Sequence, residues 1–223
     1  MYFSPRIVTS GLVLALDAAD KNSYRGSGTS WKDLSGNNYT GTLTNSPTFS
    51  NANRGVIVFD GTDDNVQLGT ASNFISANGT TISCWVKTRV VQVYKKIFVT
   101  VTAGTQTITG VYLSIGPSPY NYYFGINGVQ GAISTSDLST NQYNYLCGTY
   151  DKSNIKLYLN GTLLVSSVYT TAINTGGIGR ISGYDSGSEI WDGNVASFSI
   201  YNRALSTVEI LQNYNATKTR FGL

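Results

Sequence analysis

The sequence contains no histidine among its 223 residues, which removes several kinds of active site. Ser-His-Asp and Cys-His catalysis and histidine-ligated zinc all need an imidazole. Glycoside hydrolysis needs instead two carboxylates that project from the same strand face. The nearest candidates, Glu189 and Asp192, are three positions apart, so a strand would point them to opposite faces. The sequence therefore predicts a protein that is not an enzyme.

Charge is also scarce, at 12% charged residues and a net charge of +3. Electrostatic binding of nucleic acid needs a denser basic stripe, and the basic residues around Lys87 and Lys96 indicate an exposed face or a sheet edge protected by charge. No apolar run reaches the length of a membrane span, and the first ten residues lack the pattern of a signal peptide. We therefore expect a protein made in a cytoplasm that binds neither nucleic acid nor membranes.

Only two cysteines are present, Cys84 and Cys147, and both lie in strand-like runs. One interpretation is a disulfide between neighbouring strands. The other is a pair of small core residues, since free cysteine is among the most buried residue types. Because the start of the chain shows no secretion signal and the compartment largely determines whether bridges form, we favour two reduced thiols.

Glycine and tyrosine are abundant by contrast, with 24 and 16 residues. Short apolar runs separated by turn residues recur along the chain, and Asn160-Gly161 marks the clearest hairpin. Near the C terminus, Ser206 and Glu209 match a capping box that begins a short helix. The pattern predicts an all-β fold, a two-sheet antiparallel β-sandwich with one short C-terminal helix, formed by residues 11–223 after an N-terminal arm at residues 1–10.

The strand that precedes this helix shows period-two alternation. The odd-numbered residues from 195 to 199 are Val, Ser and Ser, and the even-numbered residues from 196 to 200 are Ala, Phe and Ile. Because successive side chains of a strand point to opposite faces, we expect the first set on one face and the second set on the other.

Seven short segments extend this description along most of the chain. They are GLVLALDAAD (residues 11–20), WKDLSG (31–36), FDGTDD (59–64), ISCWVK (82–87), GTYD (148–151), LYLNG (157–161) and YNRALS (201–206). Their order resembles that of the signature pieces of laminin-G-like (concanavalin A-like) jelly-roll domains, over residues 11–214. The resemblance implies a jelly-roll sandwich.

The two ends of the chain carry a narrower resemblance. The opening GLVLALDAAD and the ending RFGL (residues 220–223) are most similar to the variant of this domain found in virion proteins of tailed bacteriophages. This implies a virion structural protein, either a capsid decoration protein or a tail or fibre component. Its expected partners are other virion proteins and further copies of itself, and residues 1–10 would anchor it to a neighbouring subunit.

Calcium is the candidate metal, because Asp-rich loops supply the hard oxygen ligands that it prefers and laminin-G-like domains often bind it. The acids considered are Asp17, Asp20, Asp63, Asp64 and Asp192. The alternative is that these residues cap turns through their side chains. The sequence leaves both interpretations open.

A carbohydrate-binding surface would combine aromatic rings with side chains that form hydrogen bonds. The candidates are Trp31, Tyr120, Tyr122, Tyr123, Asn127 and Trp191. Aromatic residues also favour strands, so core packing or subunit contact is the alternative for each ring. The second functional hypothesis is therefore an adhesin module that recognises host or environmental glycans, and glycan hydrolysis is a third and weaker one.

Overall fold

The computed structural model describes residues 6–90, 93–116, 121–134 and 140–223. Within them the chain forms sixteen strands, three 3-10 turns and one α-helix. The strands are β1 (Leu12–Asp17), β2 (Ser30–Trp31), β3 (Gly41–Thr44), β4 (Thr48–Ser50), β5 (Val56–Asp60), β6 (Asn65–Thr70), β7 (Thr80–Thr88), β8 (Lys96–Val101), β9 (Ile108–Ile115), β10 (Tyr122–Ile126), β11 (Val129–Ile133), β12 (Asn144–Tyr150), β13 (Asn154–Leu159), β14 (Thr162–Val168), β15 (Ile178–Ile181) and β16 (Asp192–Tyr201). The helix α1 (Thr207–Thr217) leads into a C-terminal 3-10 turn (Lys218–Phe221). The other two 3-10 turns are Ala52–Arg54 and Ala71–Asn73.

The strands form two antiparallel sheets, as predicted. The helix-side sheet has the order β14-β13-β12-β7-β16-β5-β4, with β1 also paired to β16. The opposite sheet has the order β11-β10-β9-β8-β15-β6-β3-β2. Among the described residues, no helix is long and apolar enough to cross a membrane.

The core lies between the two sheets and contains side chains from both. Leu14 and Phe198 from the helix-side sheet and Phe98 and Phe124 from the opposite sheet are all fully buried there. The rings of Phe98 and Phe198 meet with their centroids 5.1 Å apart. Burial of such large apolar side chains drives the sheets together.

A second apolar cluster covers the outer face of the helix-side sheet. Trp85 projects outward from β7 and packs against Tyr214 of α1 and Phe221 of the C-terminal 3-10 turn, with ring centroids 5.8 Å and 4.2 Å away. Cys147 also lies in this cluster, whereas Cys84 lies in the core between the sheets. Both thiols are therefore free, on opposite faces of one sheet, in agreement with the prediction of reduced cysteines.

Two local predictions are confirmed in detail. Asn160 and Gly161 join β13 to β14 with positive φ angles of 50° and 81°, as a tight hairpin turn requires. Ser206 caps α1: its hydroxyl accepts a hydrogen bond from the Glu209 amide, and its own amide donates to the Glu209 carboxylate at 2.8 Å.

The alternation predicted for β16 fails at its start. Val195 packs in the core with Phe198 and Ile200, and Ala196 packs in the outer cluster. A β-bulge between Val195 and Ser197 inserts one residue opposite β7, and this extra residue reverses the phase of the alternation.

The described part of the N-terminal arm packs against its own domain. The Val8 amide donates to Asn213 Oδ1 at 2.8 Å, and the Val8 carbonyl accepts from the Tyr201 hydroxyl at 3.0 Å. Gln212 Nε2 donates to the Arg6 carbonyl at 2.7 Å. Residues 6–10 therefore belong to the folded unit, and residues 1–5 of the predicted arm lie outside the described part of the chain.

Candidate functional site

Most of the predicted surface aromatics are buried. Trp31, Tyr122 and Trp191 are at most 2% exposed, and Tyr123 is 6% exposed. The prediction of a solvent-facing platform was wrong for these four, because alternation shows which residues share a face and not which face other segments cover. Tyr120 lies outside the described residues.

Asn127, the predicted amide partner of these rings, is half-buried and holds a loop in place. Its Nδ2 donates to the Ala172 carbonyl at 2.9 Å and to the Tyr169 hydroxyl at 3.2 Å, while its Oδ1 accepts from the Asn174 amide at 2.8 Å. These three hydrogen bonds give the Asn127 side chain a structural role in the fold.

Three of the five candidate calcium ligands lie outside the one described cluster of acids, although Asp192 is the register partner of Asp60, which belongs to that cluster. Asp17 binds Arg220 Nη1 at 2.7 Å, Asp192 binds Arg89 Nη2 at 2.7 Å, and Asp20 caps its own turn by accepting from the Asn22 amide. These three do not meet at one site, so the five candidate acids do not form a single ligand set. Each of the three carboxylates has a partner of its own.

The other two candidates, Asp63 and Asp64, meet Asp60 in the β5–β6 turn, where carboxylate oxygens of the three lie within 4.8 Å of one another. This donor set suits calcium. However, Asp60 Oδ1 accepts from the Thr62 amide and Asp64 Oδ2 accepts from the Asp60 amide, so the turn accounts for two of the acids without a metal. Calcium stays a prediction, with Asp60 as a residue that the sequence reasoning missed.

A groove of about 350 Å³ opens beside the C-terminal 3-10 turn, at the end of the helix-side sheet where β12 begins. We call it the amide groove, because five of the side chains that line it are carboxamides. These are Asn53, Asn141, Gln142, Asn144 and Asn160. The rings of Tyr143 and Phe221 and the side chains of Lys87 and Leu223 complete the lining.

Three of the carboxamides are fixed by the fold. Asn53 Nδ2 donates to the Arg220 carbonyl at 3.2 Å. Asn144 and Asn160 are held by each other and by neighbouring strands. Asn160 Oδ1 accepts from the Tyr145 amide at 2.9 Å, and Asn160 Nδ2 donates to Asn144 Oδ1 at 3.3 Å. Asn144 Nδ2 in turn donates to the Tyr122 hydroxyl. This chain of hydrogen bonds sets the orientation of the Asn144 and Asn160 amides before any ligand arrives.

The side chains of Asn141 and Gln142 are exposed and form no hydrogen bond with the described part of the chain. The backbone of Asn141 has a positive φ of 62°, which turns the chain into β12, and its backbone N–H donates to the Thr88 carbonyl. Each free carboxamide offers two donor hydrogens and one acceptor oxygen. The groove therefore combines fixed and free amides.

The aromatic wall of the groove is continuous with the outer cluster. The Tyr143 and Phe221 rings lie 4.6 Å apart, and Phe221 stacks on Trp85. Asn194 Nδ2 donates to the Tyr143 hydroxyl at 3.1 Å, and burial raises the pKa of Tyr143 above its usual value. The sequence reasoning missed this site because its residues come from five separate segments. The local run Asn141-Gln-Tyr-Asn144 was the one signal available.

The two acids weighed for hydrolysis are each engaged by a cation. Glu189 lies 2.6 Å from Lys96 Nζ, and Asp192 lies 2.7 Å from Arg89 Nη2. Lys96 also lies over the Tyr184 and Tyr112 rings, 5.1 Å and 5.8 Å from their centroids. The Glu189 pair thus joins the loop before β16 to the outer face of the opposite sheet.

Comparison with known families places the fold. The laminin G type 3 family model, described as the concanavalin A-like lectin/glucanases superfamily, matches residues 60–211. No curated protein sequence matches the chain.

Several solved structures share the fold at low identity. Domain 4 of AbnA, a GH43 extracellular arabinanase from Geobacillus stearothermophilus in complex with arabinotriose, is 18% identical, with a TM-score of 0.72 over 92% of this chain and 98% of that one. The binding domain of Paraclostridial Mosquitocidal Protein 1 is 17% identical, with a TM-score of 0.67 over 92% and 52%. Trypanosoma rangeli sialidase in complex with the inhibitor DANA is 16% identical, with a TM-score of 0.71 over 93% of this chain and 33% of that one. The chain thus spans about a third of the sialidase and about half of the mosquitocidal domain, and these identities show the fold alone.

Proposed function

The chain belongs to the concanavalin A-like lectin/glucanases superfamily, and on this premise we propose that it is a non-catalytic module that binds carbohydrate in the amide groove. The observation that carries the proposal is the lining of five carboxamides beside two aromatic rings. Carboxamides can donate to and accept from sugar hydroxyls at the same time. The apolar C–H face of a sugar ring can pack against Tyr143 or Phe221, because the face of an aromatic ring is electron-rich.

The arrangement also limits the cost of binding. Asn144 and Asn160 are already oriented by their mutual hydrogen bond and by those to Tyr122 and Tyr145. Preorganised polar groups lose little conformational entropy when a ligand arrives. The arabinanase domain of similar fold is in complex with arabinotriose, which supports an oligosaccharide as the class of ligand.

A non-catalytic role is supported by the side chains. The sequence has no histidine, and the two acids closest to a hydrolase pair, Glu189 and Asp192, are held by two different cations. Hydrolysis with two carboxylates requires that both face one substrate. We therefore propose recognition without turnover.

The test is a glycan array followed by calorimetry on the best ligand. Gln142→Ala removes one exposed carboxamide of the groove, and we expect it to weaken binding about threefold to tenfold, as the loss of one hydrogen bond does. Gln142→Ala with Tyr143→Ala removes the adjacent ring as well and should abolish binding.

The matched control is Gln106→Ala, an exposed glutamine in the β8–β9 connection that does not line the groove. It should bind as the wild type does. Equal binding by the wild type and the double variant would place the ligand elsewhere and contradict the proposal.

A second proposal concerns where the module works. We propose that it is a phage virion component, as a capsid decoration or tail or fibre protein. In support, the two segments that resemble virion proteins contact each other: Arg220 of the RFGL ending binds Asp17 of the opening strand at 2.7 Å. Arg220 also donates to the Asn53 carbonyl at 2.6 Å and to the Gly55 carbonyl.

This second proposal predicts assembly. Light scattering of the purified chain should give a stable homo-oligomer, and an antibody against the chain should label purified particles in immunogold microscopy. A monomer at about 10 μM, a concentration at which even weak specific contacts begin to populate, together with unlabelled particles, would overturn it.

A further inference from the structure

One cation in the lining of the amide groove, Lys87, has no carboxylate partner in the part of the chain that the structure describes. Lys87 is the second-to-last residue of β7, and its side chain is half-buried. Among the described residues no carboxylate pairs with it. Its ammonium group lies 5.8 Å from the centroid of the Tyr143 ring.

The cations around it are arranged differently. Arg89, two positions further along the chain, pairs with Asp192, and Arg220, which precedes Phe221 of the groove wall, pairs with Asp17. Both of these charges are compensated within the protein. Lys87 therefore supplies an uncompensated side-chain charge within the described lining of the amide groove.

No aspartate or glutamate side chain in the described lining of the groove offsets this charge. The Tyr143 hydroxyl adds no charge at neutral pH, and burial raises its pKa further above its usual value. The ammonium group lies over the Tyr143 ring, and a carboxylate can bind it there through a charge-assisted hydrogen bond. The aromatic ring below restricts where that carboxylate can approach.

We propose that the amide groove selects saccharides that carry a carboxylate, of the uronic or sialic acid kind, and that Lys87 is the residue that determines this selectivity. The inference rests on the proposed carbohydrate-binding function. The carboxamides recognise hydroxyl groups that neutral and acidic sugars share, whereas the ammonium group recognises the charge that separates them. A charge-assisted hydrogen bond at a half-exposed position corresponds to a preference of about tenfold.

The experiment uses a glycan array that holds matched neutral and carboxylated members of each backbone, such as galactose and galacturonic acid trisaccharides. The wild type, Lys87→Gln and Lys87→Arg are compared, with Lys21→Gln as the control at an exposed, unpaired lysine outside the groove. We expect carboxylated members to bind about tenfold more tightly than their neutral partners. Lys87→Gln should remove this preference, and Lys87→Arg and Lys21→Gln should keep it.

A salt series on the wild type tests the same charge without a variant. Raising the salt concentration from about 0.05 to about 0.5 M should weaken binding of the carboxylated member and leave its neutral partner unchanged. Equal binding of matched partners, or a preference that Lys87→Gln retains, would overturn the selectivity while the proposed function stands. If no glycan binds better to the wild type than to the Gln142→Ala, Tyr143→Ala double variant, the proposed function fails and the inference fails with it.

Discussion

Asp64 is a carboxyl group held in an unfavourable place. It is 4% exposed, and burial raises its pKa to about 6, with the nearby charges of Asp60 and Asp63 acting in the same direction. In an unfolded chain an aspartate titrates near 3.9. Folding therefore favours the protonated form. The ionised carboxylate lowers the free energy of unfolding, in full above about pH 6 and progressively less as the pH falls from about 6 towards 4.

We expect Asp64→Asn to stabilise the fold at pH 7 by about 1–2 kcal/mol, because the amide carries no charge and its oxygen can still accept from the Asp60 amide. At pH 4 the gain should vanish. Urea denaturation at both pH values, in the presence of EDTA, measures this, with exposed Asp63→Asn as the control. A gain of the same size at both pH values would refute the assignment of the raised pKa to Asp64.

The same variants test the calcium prediction. A calcium ion at Asp60, Asp63 and Asp64 would turn the cost of the buried charge into a gain. Calcium would then raise the urea concentration at the unfolding midpoint of the wild type and leave that of Asp64→Asn unchanged. If the wild type has the same urea midpoint in calcium and in EDTA, the calcium prediction is contradicted.

At the scale of single elements, α1 depends on its first turn. Glu209 accepts from the Ser206 amide and also pairs with Arg203, whose hydrogen bond lowers the pKa of Glu209 to about 2. Because the folded pKa is depressed, this contribution is present above the ordinary value near 4.5 and is lost only as the pH falls through about 2.

Ser206→Ala should therefore lower the free energy of unfolding by about 1 kcal/mol, as the loss of a helix N-cap does. The measurement is chemical denaturation at pH 7, with Ser27→Ala at an exposed loop position as the control. A change in Ser206→Ala no larger than that in the control would show that packing of Ile210 and Tyr214 alone holds the helix.

These elements also show what sequence can predict. The Asn160-Gly161 hairpin and the Ser206 cap are decided by neighbouring residues, so short motifs predict them correctly. The bulge at Val195 is decided by pairing with β7, more than a hundred positions earlier in the chain, and no local pattern reveals it. The same limit explains the buried rings: Tyr122 lies on a strand as predicted, but the cover over its face comes from elsewhere in the fold.

At the scale of the whole molecule, both ends of the described chain close over the helix-side sheet. Residues 6–10 bind α1 and Tyr201, while Arg220 reaches Asp17 and the carbonyls of Asn53 and Gly55. The residues that these contacts join lie far apart in the sequence. They place the C-terminal 3-10 turn where it both covers Trp85 and forms a wall of the amide groove. Stability and binding should therefore be linked at this turn.

Phe221→Ala tests that link, because one ring contacts both Trp85 and Tyr143. We expect a loss of about 1–3 kcal/mol, less than for a fully buried phenylalanine since Phe221 is half-buried. Tryptophan fluorescence should shift to longer wavelength as water reaches Trp85. Saccharide affinity should fall as well, because the groove loses one of its two rings.

The matched control is Phe49→Ala, another half-buried ring, which packs on Tyr24 at 5.5 Å and does not line the groove. It should lose a similar amount of stability and keep its saccharide affinity, measured at a temperature where both variants are fully folded. If Phe221→Ala bound as tightly as Phe49→Ala, the turn would serve the fold alone and the ligand would contact the opposite end of the groove. Because the two variants share the stability loss, any difference in affinity between them reports the groove wall itself.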